Sequence, residues 1–151
     1  MSRERIDAEK AMLNDYFGRC ARPPLKWSFI MNAPNGEFHS LDCSLTSQSG
    51  RRYHLHLRLD GFPTQLPKVY VKHPTPLKNY LGIPMREVSA VMHVLSPDHE
   101  GCTQICHYGA SQWRKNISLV KVVLRAKVWL DAYECHLRTG RDIDTWLNHA
   151  R

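Results

Sequence analysis

Apolar residues recur at helical spacing near the start of the chain. Ile6, Leu13 and Phe17, with Met12 and Tyr16 beside them, predict a helix over about residues 3 to 18. Pro23-Pro24 forbids its continuation, because proline lacks a backbone donor and clashes with the preceding turn. The period then shortens to that of a strand. Trp27, Phe29 and Met31 alternate with other residues up to a Pro34-Asn35-Gly36 turn, and Leu41, Cys43 and Leu45 alternate up to Ser47-Gln48-Ser49-Gly50. The alternation is most regular next: Tyr53, Leu55, Leu57 and Leu59 fall on one face, and Arg52, His54, His56, Arg58 and Asp60 on the other. A strand with one dry face follows, with His54 and His56 turned to solvent. After Phe62-Pro63, Lys68-Val69-Tyr70-Val71 reads as a fourth strand, and the short connections predict an antiparallel meander.

Between 73 and 112 the pattern weakens, since Pro74, Pro76, Gly82, Pro84, Pro97, Gly101 and Gly109 interrupt regular structure. Met85 to Leu95 suits a helical turn or a strand, and a segment this long is often functional. Regularity returns at Asn116, read as a helix cap. Beyond it Leu119, Val122, Val123, Ala126, Trp129, Leu130, Tyr133 and Leu137 trace one apolar stripe that ends at Thr139-Gly140. Trp113, Trp129 and Tyr133 are read as core aromatics. Asp142 to His149 adds a short closing helix bearing Ile143, Trp146 and Leu147, with Asp142 at its positive end. The expected class is α+β: an N-terminal helix, a four-stranded antiparallel meander, a long loop, a long central helix and a short C-terminal helix.

Composition narrows this picture. The 151 residues suit a single domain over 1–151, and 42% hydrophobic with 23% charged residues is ordinary for a globular protein. No stretch approaches the roughly 20 apolar residues of a membrane span. The first residues, Met-Ser-Arg-Glu-Arg-Ile-Asp, lack the apolar centre of a secretory signal, so the expectation is a cytoplasmic protein without membrane contact. Five cysteines at irregular spacing predict reduced thiols and no disulfide framework. The net charge of +7 is spread along the chain, so nucleic acid is not the expected partner. The nine histidines bear on pH sensitivity more than on class.

The candidate chemistry centres on Gly101-Cys102-Thr103-Gln104-Ile105-Cys106-His107-Tyr108. Phe62-Pro63-Thr64-Gln65-Leu66-Pro67-Lys68-Val69 resembles the aromatic-Pro-x-x-x-Pro-x-Val turn of the ubiquitin-conjugating enzyme superfamily, in which the prolines lead into an edge strand. Ile105-Cys106 resembles that family's Ile-Cys active-site pair, and Trp113, seven positions later, its following tryptophan. The order of elements agrees, over residues 53 to 138. The chain looks less like the eukaryotic enzymes than like divergent bacterial members, particularly those of anti-phage (CBASS) operons with a cyclic-nucleotide-producing, cGAS-like nucleotidyltransferase. Trp129-Leu130-Asp131-Ala132-Tyr133-Glu134, His136 and Thr139-Gly140 resemble the ending of those proteins. One departure matters. The eukaryotic His-Pro-Asn lies about ten residues before the cysteine, whereas His93-Val94-Leu95 here begins thirteen before it and offers no asparagine.

The resemblance implies a carrier: Cys106 accepts the C-terminal carboxyl of a client protein as a thioester and passes it to a lysine or another amine. Thiols suit this, since a thiolate attacks activated carboxyls and the thioester stays reactive towards amines. By the same resemblance the client is the C-terminal tail of the nucleotidyltransferase, and the setting anti-phage defence. No Gly-rich ATP-binding segment is present, so a separate adenylating enzyme or a pre-activated donor is implied and no cofactor is expected. With the asparagine missing, His107, His99, His93 and Gln104 are candidate oxyanion donors, and His107 or His99 a candidate base. If Cys106 lies in extended chain, the adjacent His107 points away, which favours His99 or His93.

Three other readings stand beside this one. Cys102 is a structural thiol or, as the lesser option, a redox partner of Cys106; Cys20, Cys43 and Cys135 are packing residues. His93, His99, Cys102, Cys106 and His107 offer zinc ligands, yet there is no Cys-x-x-Cys knuckle and the adjacent Cys106 and His107 converge poorly, so no metal is expected. An inactive conjugating-fold module that binds or disulfide-links a protein tail is the alternative function.

Overall fold

A computed structural model describes residues 1–19, 27–32 and 37–147. Helix α1 (Arg3–Gly18) begins at Ser2, whose Oγ accepts the Arg5 N–H at 3.1 Å. Ile6, Leu13 and Phe17 are buried, as is Glu9. The Glu9 carboxylate takes the Arg5 guanidinium at 2.8 Å and the backbone N–H of Leu119 at 2.8 Å. A buried charge thus meets an ion-pair partner and the positive end of a second helix.

That second helix, α2 (Leu119–Thr139), supplies the other half of the core: Leu119, Val122, Val123, Ala126, Trp129, Leu130 and Tyr133 are buried in one cluster with Leu41, Leu45, Leu55, Leu57 and Val71 of the sheet. Its cap is Ser118, whose Oγ accepts the Lys121 N–H at 3.2 Å. Asn116, expected to cap it, instead lies in a turn closed by Ile117 N–H to Arg114 O. The helix ends as expected at Gly140, which adopts φ 75° and donates to His136 O at 2.8 Å.

The strands are β1 (Trp27–Asn32), β2 (Glu37–Thr46), β3 (Arg52–Arg58), β4 (Lys68–His73), β5 (Val94–Leu95) and β6 (Thr103–Ile105). All pairings are antiparallel, in the order β1-β2-β3-β4-β6-β5. The four-stranded meander is therefore present and the expected four-stranded sheet is not. The interrupted segment after β4 returns two short strands to the sheet, because Val94, Thr103 and Ile105 bury against it. Strand β4 is consequently interior, not the edge that its prolines suggested, with Val69 facing Ile105 on its far side.

His54 and His56 lie on the wet face of β3, where Asp42 of β2 meets the His56 Nδ1 at 2.6 Å. The closing helix is shorter than expected within the described residues: α3 spans Asp144–Leu147. The Pro23-Pro24 and Pro34-Asn35-Gly36 segments, Cys20 and His149 lie outside the described residues. No helix among the described residues is long and apolar enough to cross a membrane.

Candidate active site

Cys106 is the first residue beyond β6. Its N–H donates to the His93 carbonyl at 2.9 Å, adding one rung to the β5–β6 ladder in which Val94 faces Ile105. His93 and Cys106 are thus tied together through their backbones at the end of the hairpin. Both line a cleft of about 300 Å³ together with His107, Tyr108, Arg125 and Trp129. Its walls are the end of the β5–β6 hairpin, the single 3-10 turn Ala110–Gln112, the middle of α2 and Leu147 of α3. Cys106 itself is partly exposed, and its Sγ lies 3.9 Å from the Tyr108 carbonyl.

The other thiols are placed differently. Cys43 is buried in the core, and that burial, with Asp42 adding to it, pushes its pKa up to about 12. Cys102 is buried with Thr75 Oγ1 at 3.5 Å from its sulfur. Four steps of mostly extended chain, through Thr103–Ile105, separate it from Cys106, about 13 Å, well beyond the Cα span of a disulfide. Cys102 is therefore a structural thiol here, and the redox-partner option fails on distance. Cys135 lies on α2 at a separate groove. Among the described residues no three His, Cys, Asp or Glu side chains gather as metal ligands.

The four candidate donors divide. His107 is buried and lines the cleft, contrary to the expectation that it points away; strand geometry ends at Ile105, so the alternation no longer applies. Burial lowers its pKa to about 4, opposed by the Ile105 carbonyl 3.5 Å from Nδ1 and reinforced by the Arg125 charge. It is neutral at pH 7. With the Nδ1 proton directed at Ile105, Nε2 carries a lone pair and has no partner among the described residues. His99 is 86% exposed, sits 3.4 Å from Glu100 Oε1 and does not line the cleft. Gln104 is held inside β6, between Tyr70 of β4 and Leu95 of β5, and does not reach the cleft either.

His93 is the best-determined of the four. Its backbone has φ 51°, the left-handed region that few residues other than glycine adopt. Its carbonyl accepts from Cys106 and from Trp129 Nε1 at 3.1 Å, and its Nε2 lies 2.6 Å from Asp144 Oδ1. Asp144 is tied in turn to the segment before β5 by its own N–H, which donates to Val91 O at 2.8 Å.

Arg125 of the cleft and Asp144, which holds a cleft residue, escaped the sequence. Arg125 stacks its guanidinium 4.1 Å from the Tyr108 ring centre, and the visible signal was a cation interrupting the apolar stripe of α2. Asp144 is 51 residues from His93, and no local pattern joins them. A further convergence links the quoted motifs: Trp113 Nε1 donates to Pro63 O at 2.9 Å, and its ring meets Phe62 and Tyr108 at 6.1 and 5.7 Å. No family model and no curated protein matches the chain. What stands is an α+β domain with an N-terminal helix, a six-stranded antiparallel sheet and a long helix near its end, bearing a partly exposed cysteine at a cleft.

Proposed function

We propose that the protein is a ubiquitin-conjugating-enzyme-like transferase, in which Cys106 carries the C-terminus of a client protein as a thioester and delivers it to an amine. The observation that carries this reading is the placement of Cys106. It is the cysteine of the described residues that lines the cleft, fixed through its backbone to His93 while its side chain stays accessible. A carrier thiol needs that combination, because two macromolecules must reach it in turn and the reacting carbon must be held steady between them. The meeting of Phe62-Pro63, Trp113 and Tyr108 supports the resemblance, since residues far apart in sequence brace the turn that follows Cys106. The client is a C-terminal tail, that of a cGAS-like nucleotidyltransferase in an anti-phage operon, and a separate adenylating enzyme or a pre-activated donor supplies the activated carboxyl.

The test is incubation with the neighbouring gene products and ATP, read on gels with and without thiol. Wild type is expected to give an adduct that thiol and hydroxylamine both remove, and Cys106→Ser one that thiol leaves intact, as an ester would be. An adduct that persists in Cys106→Ala, or one that thiol removes and hydroxylamine does not, sinks the thioester reading; the latter result favours the tail-binding module that disulfide-links its partner.

A further inference from the structure

The carrier reading leaves open which group takes the proton when an amine attacks the thioester. Resting on that reading, we propose that His93 is the proton acceptor of the Cys106 reaction and that Asp144, carried in by α3, is its positioning residue. The reacting pair is joined by a backbone hydrogen bond that extends the β5–β6 ladder, and both residues line the same cleft. Asp144 accepts from Nε2 at 2.6 Å, so Nδ1 is the ring nitrogen left to take a proton. The ring is fixed at its tip by Asp144, and its backbone by Cys106 and Trp129. A left-handed conformation at a histidine is costly and persists only where neighbours impose it, as these contacts do. The titratable and charged groups around the ring are Cys106 and His107 from the end of β6, Tyr108, Arg125 from α2 and Asp144 from α3. His107 is poorly suited to the role, since burial keeps it from holding a proton near neutrality.

The step balances as follows. In loading, the Cys106 S–H proton passes to His93 Nδ1, the sulfur–carbon bond forms, and the proton leaves with the group expelled from the activated carboxyl. In discharge, the lysine ammonium gives one proton to Nδ1, and the freed amine attacks the thioester carbon. The carbon–sulfur bond then breaks, the departing thiolate takes the second nitrogen proton, and the imidazolium returns the first to solvent. Asp144 holds the tautomer and stabilises the imidazolium in both halves.

The test uses p-nitrophenyl acetate as activated donor to acetylate Cys106, located by peptide mass spectrometry, followed by discharge to Nα-acetyl-lysine or to hydroxylamine. Near pH 7 the lysine amine arrives protonated and needs an acceptor, whereas hydroxylamine arrives neutral. Discharge to lysine is expected to fall about 100-fold in Asp144→Asn and in His93→Asn, the latter chosen because asparagine tolerates the left-handed backbone. Discharge to hydroxylamine should change by less than about threefold, and the lysine deficit should shrink as rising pH frees the amine. Asp144→Glu should restore part of the lysine rate. Equal lysine rates in wild type and Asp144→Asn overturn the inference, and so does a parallel loss for both nucleophiles, which would mark a merely structural pair. Wild-type acetyl-Cys106 that hydroxylamine discharges and lysine never does would remove the carrier reading itself.

Discussion

His107 makes acid stability a sharp test of the cleft. Its pKa is about 4 in the folded protein, lowered first by burial, against roughly 6.5 for an unfolded histidine. The unfolded chain therefore binds the proton first as pH falls, and stability is lost between about 6.5 and 4. Above 6.5 both states are neutral and the group contributes nothing to the slope; below 4 both are protonated and the loss is complete. A difference of 2.5 units corresponds to about 3 kcal/mol in full, of which about 2.5 kcal/mol has been lost by pH 4.5. His107 is 8% exposed, so solvent screening takes little from this. The perturbation is His107→Gln, which keeps a polar side chain of similar size and cannot titrate. Urea unfolding from pH 7.5 to 4.5 should give wild type a loss larger than that of the variant by 2–3 kcal/mol, roughly. Whatever the substitution costs at pH 7.5 cancels in the difference, as do the carboxylates common to both proteins. Parallel stability curves would refute a buried, neutral His107.

Three further outcomes follow from packing. Glu134 accepts from Ser47 Oγ, Ser49 Oγ and Tyr53 Oη at 2.8, 2.6 and 2.7 Å, so Glu134→Gln sets an amide donor among three hydroxyl donors and should cost roughly 1–3 kcal/mol by thermal unfolding. Ser118→Ala should cost about 1 kcal/mol as the true cap of α2, while Asn116→Ala should change stability by less than about 0.5 kcal/mol; the reverse order would restore the cap read from sequence. Gly140→Ala should cost about 1–2 kcal/mol, because a Cβ there adopts a left-handed φ of 75° and meets the Tyr80 ring at 3.3 Å; a gain in melting temperature would count against that cap.

Periodicity was legible where one face of an element is buried along its whole length. Tyr53, Leu55 and Leu57 alternate because β3 is paired on both sides and packed on one face, and α1 and the stripe of α2 read equally directly. Two or three residues cannot display a period, which is why β5 and β6 hid inside a segment punctuated by prolines and glycines. Their existence depends on an open edge of β4 at distant positions, information that local sequence lacks. The same holds for the site. Cys106 was visible through its neighbours Ile105 and Trp113, whereas sorting the histidines needed the register Val94 to Ile105, which brings His93 beside Cys106 at the cleft and leaves His99 in solvent.

The two short strands also explain how one cysteine can be both fixed and open. Ile105 is fully buried, so a thiol at that position would be inert. A few residues later the chain is an exposed turn, where a thiol would be accessible but loosely held. Cys106 occupies the step between them: its backbone still belongs to the sheet through the His93 carbonyl, and its side chain has left it. The rung that fixes Cys106 is made by the residue whose imidazole shares its cleft, so a change that loosens the β5–β6 hairpin removes rigidity and the placement of that histidine together. In Val94→Ala, which thins the buried side of that hairpin, thioester discharge to lysine should therefore fall further than global stability does, with hydroxylamine discharge serving as the reference. Discharge to lysine that tracks the folded fraction alone would show that the hairpin only supports the fold.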